Sequence, residues 1–469
     1  MSLSIFVSNL TAAQTKSLST ESVQKLDSAS VAALRTDQVA ALTANQVGAI
    51  DTDEITGLGA KLSNLSAAAL AGLTLLQVRE INNDTTDAAV LSSSQIAGLS
   101  TGLISQFETA DLDALGSADI KALTTKQITA LNTGALSDTA VVHLDAAQIN
   151  KLTSTQVTAL SSTAAAALTS AQIAGLSAAG AAGLETADIV ALFNDDTDGM
   201  AKLKALDSKA LAALSTAQIA ALDSSAGAAL TSDQIKALTT AQVAVLTDDE
   251  ISGWTTGQIA LLATKQIQAL NIAALDDTQA GGLTTSQIAV LSSTQLGAVS
   301  EDAFETWGTD KLNVISATGI AGLTTDQLAK LDTGEVNALN AKAMAALSTE
   351  NLALIGTGII AGLSTDLVKV LTAAQITALT TDQVTALGSD QIAVLSAAQI
   401  AAFDDGDIAL FDTGEFAAIS DAALKGLEED DFMSLTDAKL AELVGTRSAQ
   451  FTNDQVAWVI KAYDDPDIA

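Results

Sequence analysis

Large apolar residues recur every eight positions along most of this chain. In the stretch LTAAQITALTTDQVTALGSDQIAVLSAAQIAAF, the residues Leu371, Leu379, Leu387, Leu395 and Phe403 each begin one octad. Between them comes nearly the same phrase, which contains Thr or Ser, a small residue, Gln, then Ile or Val, and finally Ala. About 51 octads of the form L-[ST]-[ST]-x-Q-[IV]-x-A can be followed along the chain. Such self-similarity indicates a repeat architecture.

The octad fits neither a continuous helix nor a strand. A straight α-helix turns by about 100° per residue, so eight residues overshoot two turns by about 80° and a leucine stripe would spiral around the helix. In a strand, the leucine and the Ile or Val five places later would face opposite sides of the sheet. The octad therefore predicts an element of secondary structure that is shorter than a continuous helix.

Helix-capping chemistry explains each recurring place of the octad. Thr372 followed three residues later by Gln375 forms the S/T-x-x-E/Q capping box, in which each residue satisfies a backbone amide of the other. Leu371 and Ile376 then occupy the two places of a hydrophobic staple. Each octad is thus predicted to form one short helix that ends where the next cap begins.

Helices this short are unstable alone, so they must stack. The sequence predicts an all-α solenoid, an elongated rod in which the first, sixth and eighth places of each octad face a shared interior. Small residues in the seventh and eighth places are expected to let neighbouring segments approach closely. Three or four octads per turn both fit the pattern. The predicted divisions are an apolar arm at 1–9, the solenoid at 10–459 and an acidic tail at 460–469.

The two ends carry apolar residues that the repeat does not require. At one end these are Ile5, Phe6 and Val7, and at the other Trp458 and Tyr463. Solenoids need polar ends, because an apolar end stacks on another molecule. One interpretation is that both segments fold back as caps. The other is that the end of one copy receives the opposite end of the next copy, which produces a head-to-tail polymer.

Two insertions interrupt the octads and resemble each other, INNDTTDAAV and FNDDTDGMAK. Oxygen-bearing side chains at alternate positions suit a hard cation such as Ca²⁺. The second insertion resembles the first half of the D-x-[DN]-x-[DN]-G calcium loop, but the twelfth place is Ala205 where the loop needs Glu. A polar loop that binds no metal is the alternative. The candidate calcium ligands are Asn83, Asp87, Asn194, Asp196 and Asp198.

Composition narrows the function classes. The net charge of −34 opposes binding to nucleic acid or anionic membranes. No apolar run is long enough to span a membrane, and the first residues lack the features of a cleaved secretory signal. There is no cysteine, the only histidine is His143, and no nucleotide-binding or nucleophile motif occurs. We therefore expect a protein that is not an enzyme and requires no cofactor, with calcium as the one candidate ion.

The acidic, cysteine-free, Ser/Thr/Ala-rich repeats resemble secreted bacterial surface proteins of the surface-layer, filament and adhesin types. That resemblance implies an extracellular or cell-surface location, reached without a cleaved N-terminal signal. Our first hypothesis is a structural protein that self-associates into a filament or surface lattice, with itself as partner. The alternative is a monomeric repeat scaffold or adhesin that binds a protein, a carbohydrate or a mineral surface.

Overall fold

The octads fold as short helices in the computed structural model, which describes residues 2–83, 91–193, 197–445 and 447–463. These residues form α-helices, a few 3₁₀ helices and the connections between them, without a strand. The predicted all-helical repeat solenoid is therefore confirmed. Contacts divide the chain into two compact units, Met1–Leu246 and Thr247–Ala469. The octad pattern is the same in both.

The helices of the first unit are mostly four to six residues long. Numbered from α1 in chain order, its α-helices are Leu3–Ser8, Ala12–Lys16, Thr20–Gln24, Ser28–Ala32, Thr36–Ala41, Ala44–Ala49, Ala67–Leu70, Leu75–Asn82, Ser93–Ile96, Thr101–Ile104, Thr109–Asp113, Ser117–Ala122, Thr125–Ala130, Asp138–Val141, Ala146–Ile149, Ser154–Thr158, Ser162–Ala166, Ser170–Gly175, Ala178–Ala181, Thr186–Phe193, Thr197–Ala205, Ser208–Ala212, Thr216–Ile219, Ser224–Ala229, Ser232–Ala237 and Thr240–Val243. Its 3₁₀ helices are Thr52–Asn64 and Thr133–Ala135.

The second unit continues the numbering and ends with longer helices. Its α-helices are Asp248–Ser252, Thr256–Ile259, Thr264–Ala269, Asp277–Gly281, Thr285–Ile288, Ser293–Gly297, Glu301–Glu305, Thr309–Asn313, Ala317–Ile320, Thr325–Ala329, Thr333–Ala338, Ala341–Ala346, Thr349–Leu354, Thr357–Ala361, Thr365–Val368, Ala373–Thr377, Thr381–Thr385, Ser389–Ile392, Ala397–Ile400, Asp405–Ile408, Thr413–Ala418, Glu429–Ser434, Asp437–Gly445 and Asn453–Tyr463, the last being α50. Its 3₁₀ helices are Ile272–Ala274, Ala423–Gly426 and Ser448–Gln450.

Many of the helices begin at the predicted capping box. The Thr372 hydroxyl accepts from the Gln375 backbone N–H at 3.2 Å, and the Gln375 Oε1 accepts from the Thr372 backbone N–H at 2.8 Å. The same reciprocal pair occurs with Asp as the cap, between Asp145 and Gln148. Two amides that the first turn of a helix leaves without a partner are thereby satisfied. The cap also fixes where each helix starts, which keeps consecutive helices in phase.

The first and sixth places of the octad form the core as predicted, and Leu371 and Ile376 are both buried. The prediction for the eighth place is wrong, because Ala378 in that place is only half-buried. The fifth place is buried instead, and Gln375 is 2% exposed. The eighth place lies about 200° around the helix from the sixth, so it points away from the apolar face.

Within each unit, stacking commonly brings a helix against the helix three places later in the chain, as for Ala317–Ile320 and Ala341–Ala346. Small residues permit close approach where the sequence predicted it. A Cβ added to Gly322, an eighth-place glycine, would lie 1.9 Å from the carbonyl oxygen of Ser293. Gly59 follows Leu58 at the one seven-residue step, and its φ of 50° is a left-handed value that glycine adopts without steric cost.

The breaks in the octad register have local structural forms. The two five-residue steps each form a single 3₁₀ turn, Thr133–Ala135 and Ile272–Ala274. Residues 84–90 and 194–196 of the two insertions lie outside the described residues. The segment predicted as an apolar arm forms helix α1, which packs against Ser28–Ala32. Helix α50 runs through Tyr463, so the predicted boundary between solenoid and tail falls inside a helix.

Candidate functional site

The fifth-place glutamine joins successive turns of the solenoid. The Gln127 Oε1 accepts from the Thr124 backbone N–H at 2.8 Å, which completes the cap of its own helix. Its Nε2 group points the other way and donates to the carbonyl oxygens of Ile96 at 2.8 Å and Leu99 at 3.0 Å. These acceptors lie 31 and 28 residues earlier, at the end of one helix and in the connection that follows it. We call this set of bonds the interturn spine.

The interturn spine recurs in both units. Glutamines that donate across 31 and 28 residues are Gln38, Gln46, Gln127, Gln172, Gln234, Gln242, Gln327, Gln375, Gln383, Gln391, Gln399 and Gln455. Where a five-residue step lies between a glutamine and its acceptors, the separations shorten to 28 and 25 residues, as for Gln156 and Gln287. One turn of the solenoid therefore contains between three and four octads.

The sequence predicts the helix caps but not the interturn spine. Glu and Gln complete a capping box equally well, because the cap uses only a side-chain oxygen. The marked preference for Gln over Glu was the available signal, since only the amide carries N–H donors. Its acceptors belong to another turn of the chain, so no local pattern identifies them.

Other donors replace glutamine at some fifth places and reach the same kind of acceptor. The Lys311 ammonium donates to the Gly281 carbonyl oxygen, and the Asn351 amide donates to the Leu323 carbonyl oxygen at 2.6 Å. The Arg447 guanidinium donates to the Phe416 carbonyl oxygen at 3.2 Å. Burial lowers the pKa of Lys311. At these fifth places a different N–H donor thus reaches the preceding turn.

At Asp111 the hydrogen bonds between turns run in the opposite direction. It occupies a fifth place and is 5% exposed, and its two oxygens accept from Arg79 at 2.7 and 2.8 Å. Arg79 lies 32 residues earlier and also contacts Glu108 at 2.8 Å. The hydrogen bonds from Arg79 hold the pKa of Asp111 below its ordinary value. Here the preceding turn supplies the donor and the fifth place accepts.

Two acidic fifth places are electrostatically unfavourable. Burial raises the pKa of Glu415, and the neighbouring Asp412 carboxylate adds to the effect. Burial together with the charge of Asp404 raises the pKa of Asp407. Each side chain still accepts from a backbone N–H or lies close to its cap, but a carboxylate has no donor for the preceding turn. These octads are capped without being joined by a glutamine bond.

Exposed apolar side chains concentrate on the first helix of one unit and the last helix of the other. Of the eleven large apolar side chains that are exposed among the described residues, three lie on α1 and three on α50. The remaining five are scattered singly along the chain, which is normal for a protein surface. The six are Leu3, Ile5 and Phe6 on α1, and Val456, Ile460 and Tyr463 on α50. We call these two sets the α1 face and the α50 face.

The residues predicted for self-association divide between surface and core. Ile5 and Phe6 are more than half exposed, and Tyr463 is 47% exposed. Trp458 is half-buried and its ring centroid lies 6.2 Å from that of Phe432. Val7 is 2% exposed because it occupies a sixth place, so it belongs to the core and contributes nothing to a surface.

A cavity of about 600 Å³ adjoins α50. Its lining includes the Trp458 indole, three consecutive acidic residues at 428–430, and Lys425. Glu429 is held by Lys461 of α50 in an ion pair of 2.5 Å. The cavity therefore places an acidic groove next to the apolar α50 face.

The proposed calcium ligands are only partly described. Asp87, Asn194 and Asp196 lie outside the described residues. Asp198 lies in the helix Thr197–Ala205 and forms an ion pair with Lys202 at 2.9 Å, and Asn83 follows the helix Leu75–Asn82. Among the residues that the structure does describe, no three His, Cys, Asp or Glu side chains are grouped as metal ligands would be. Calcium binding by the insertions stays a prediction.

Two segments of the chain match a known repeat family. A family model described as the ALTTAQ repeat matches residues 104–137 and 366–397, each about four octads long. No curated protein matches the chain. None of the helices in the described part of the chain is long and apolar enough to cross a membrane. The chain is thus a helical repeat protein with matches to this repeat in both compact units.

Proposed function

We propose that this repeat protein is a structural protein of the cell exterior that associates end to end with further copies of itself. The observation that carries the proposal is the concentration of exposed apolar side chains on α1 and α50. The partner that fits is a second copy of the chain, whose α50 face covers the α1 face of the first.

The spacing on α50 gives its apolar residues a single face. Val456, Ile460 and Tyr463 are separated by four and three residues, which aligns them along one side of a helix. The adjacent side of α50 packs inward through Val459 and Ala462, both buried. A helix that is apolar on two sides has one side for its own core and another for a partner.

Charge favours contact between unlike ends. The first 50 residues contain three acidic and three basic residues, whereas the last 50 contain eleven acidic and four basic residues. Two C-terminal regions would therefore repel each other, while a C-terminal region meets no net repulsion from an N-terminal one. A contact between two different surfaces is heterologous, and a heterologous contact that does not close into a ring extends into a filament.

The uniform repeat supports a structural role over specific recognition. A surface that recognises one particular partner needs side chains that differ from place to place. Here the exposed places hold mostly Thr, Ser, Ala and Asp throughout. The acidic and cysteine-free composition is that of the secreted surface proteins the chain resembles, and it supports a location outside the cell.

Sedimentation velocity of the full chain over a range of concentrations tests the association. We expect species larger than a monomer that grow with concentration, and we expect F6S or I460S to abolish them. The matched control is L354S, which removes an equally exposed apolar side chain outside both faces. A wild-type chain that stays monomeric at every concentration would contradict the proposal.

Antibody labelling of intact and lysed native cells tests the location. Labelling of intact cells is the expected result, and it should disappear after external protease treatment. Labelling that requires lysis would overturn the extracellular part of the proposal and leave the association unaffected.

A further inference from the structure

The first turn of the solenoid carries one glutamine whose spine bond is not made. Gln14 occupies a fifth place and caps its own helix, with its Oε1 accepting from the Thr11 backbone N–H at 2.9 Å. Its side chain is exposed, and among the described residues no acceptor lies within hydrogen-bond distance of its Nε2. In the following turn, the corresponding atom of Gln38 donates to Val7 at 2.9 Å and Leu10 at 2.8 Å.

The register places Gln14 and Phe6 on the same edge of the first turn. Both occupy fifth places, eight residues apart. Every described glutamine of the spine points from its fifth place toward the preceding turn, so this edge is the one where a preceding turn would lie. Gln38 meets the opposite edge of the same turn, at the carbonyls of Val7 and Leu10.

We propose that Gln14 donates its Nε2 hydrogen bond to a backbone carbonyl oxygen of a second copy of this chain, so that the joint between copies reuses the interturn spine. This inference rests on the proposed end-to-end association. It adds a polar contact beside the apolar contact between the α1 face and the α50 face. A second copy is the expected partner because the contact would continue the one that joins successive turns. In every later turn the surface that receives such an edge is another octad turn of this same chain, whose helix ends present carbonyl oxygens.

Replacing Gln14 by Glu tests the polar contact on the full chain. Glutamate keeps a side-chain oxygen for the Thr11 amide, so the helix stays capped and the melting temperature should not change. It has no N–H donor and brings a negative charge toward carbonyl oxygens. We expect the dissociation constant for association, measured by sedimentation, to rise about tenfold or more. The matched control is Q24E, which makes the same charge change at an exposed residue of the next helix outside the fifth place.

The outcomes separate this inference from the proposed function. If F6S abolishes association while Q14E associates like the wild type, the spine contact is overturned and end-to-end association stands. If Q24E weakens association as much as Q14E, charge alone is responsible and the hydrogen bond is again overturned. If the wild type never associates, both proposals fall.

Discussion

The side-chain amide of Gln383 donates a hydrogen bond of 2.9 Å to the carbonyl oxygen of Leu352, which lies 31 residues earlier in the chain. The Oε1 of the same side chain accepts from the Thr380 backbone N–H at 3.0 Å. One residue therefore starts its own helix and holds it to the turn before. Gln383 is only 1% exposed. A solenoid of helices this short gains from such bonds a directional contact that apolar packing does not supply.

We predict that Q383E destabilises the second unit although it preserves the cap. Glutamate has no donor for the Leu352 and Ile355 carbonyl oxygens, and it would place a carboxylate in a buried site facing two acceptors. We expect a loss of about 2–4 kcal/mol in the free energy of unfolding at pH 7, measured by urea denaturation. The exposed substitution D382N in the same helix should change stability by less than about 0.5 kcal/mol. Equal effects of the two substitutions would show that the spine contributes nothing.

The converse substitution, E415Q, should stabilise the protein. Glu415 accepts from the Asp412 N–H at 2.8 Å, and a glutamine would keep that bond while offering donors to the carbonyl oxygens of Val384 and Leu387, the equivalent acceptors 31 and 28 residues earlier. We expect a gain of about 0.5–1.5 kcal/mol in the free energy of unfolding at pH 7. A loss at pH 7 would contradict the assignment.

The gain from E415Q should also depend on pH. Because burial raises the folded-state pKa of Glu415 above its unfolded value, the carboxyl favours the folded state below the unfolded pKa, and that contribution is lost as the pH rises through the folded pKa. The advantage of glutamine should therefore be smaller at pH 4 than at pH 7. Urea denaturation of both proteins at the two values measures it. An advantage that is constant with pH would show that Glu415 does not titrate differently in the two states.

The ion pair of Arg79 and Asp111 should stabilise the folded state. Its contribution should depend on pH in the opposite sense to that of the Glu415 carboxyl. R79M leaves the buried Asp111 carboxylate without its cationic partner, and we expect a cost of about 2–3 kcal/mol at pH 7, less than for a fully buried pair because a third of Arg79 is exposed. The pKa of Asp111 is lowered in the folded state, so this contribution exists above the unfolded pKa and is lost as the pH falls through the folded pKa.

The cost of R79M should consequently shrink as the pH is lowered from 5 toward 2, and urea denaturation across that range measures it. The comparison variant is K330M, which breaks the exposed pair with Glu305 and should cost less than about 1 kcal/mol. If both variants lose the same stability at pH 7, burial of Asp111 does not matter.

Local chemistry explains which features the sequence could predict. Capping boxes, the buried first and sixth places and the close approach of eighth-place glycines all depend on residues within one octad or on side-chain size. The burial of Gln375 was missed because its acceptors, the Met344 and Leu347 carbonyl oxygens, belong to the turn before. For the end surfaces, the octad register itself separates Val7, in a sixth place, from Phe6, in a fifth. That distinction follows from the sequence alone.

Two glycines provide a test of how closely the turns are packed. A Cβ added to Gly322 would lie 1.9 Å from the Ser293 carbonyl oxygen and 2.4 Å from the carbonyl carbon, so the backbone of one turn must move in G322A. We expect a cost of about 1–3 kcal/mol in the free energy of unfolding. Gly358 lies inside the helix Thr357–Ala361 with open space around its Cβ position, and G358A should stabilise that helix by about 0.5–1 kcal/mol. Urea denaturation of the two variants thus separates turn packing from helix propensity with the same chemical change. If G322A is neutral, the turns are not in contact at this glycine and the stacking described between these helices is wrong.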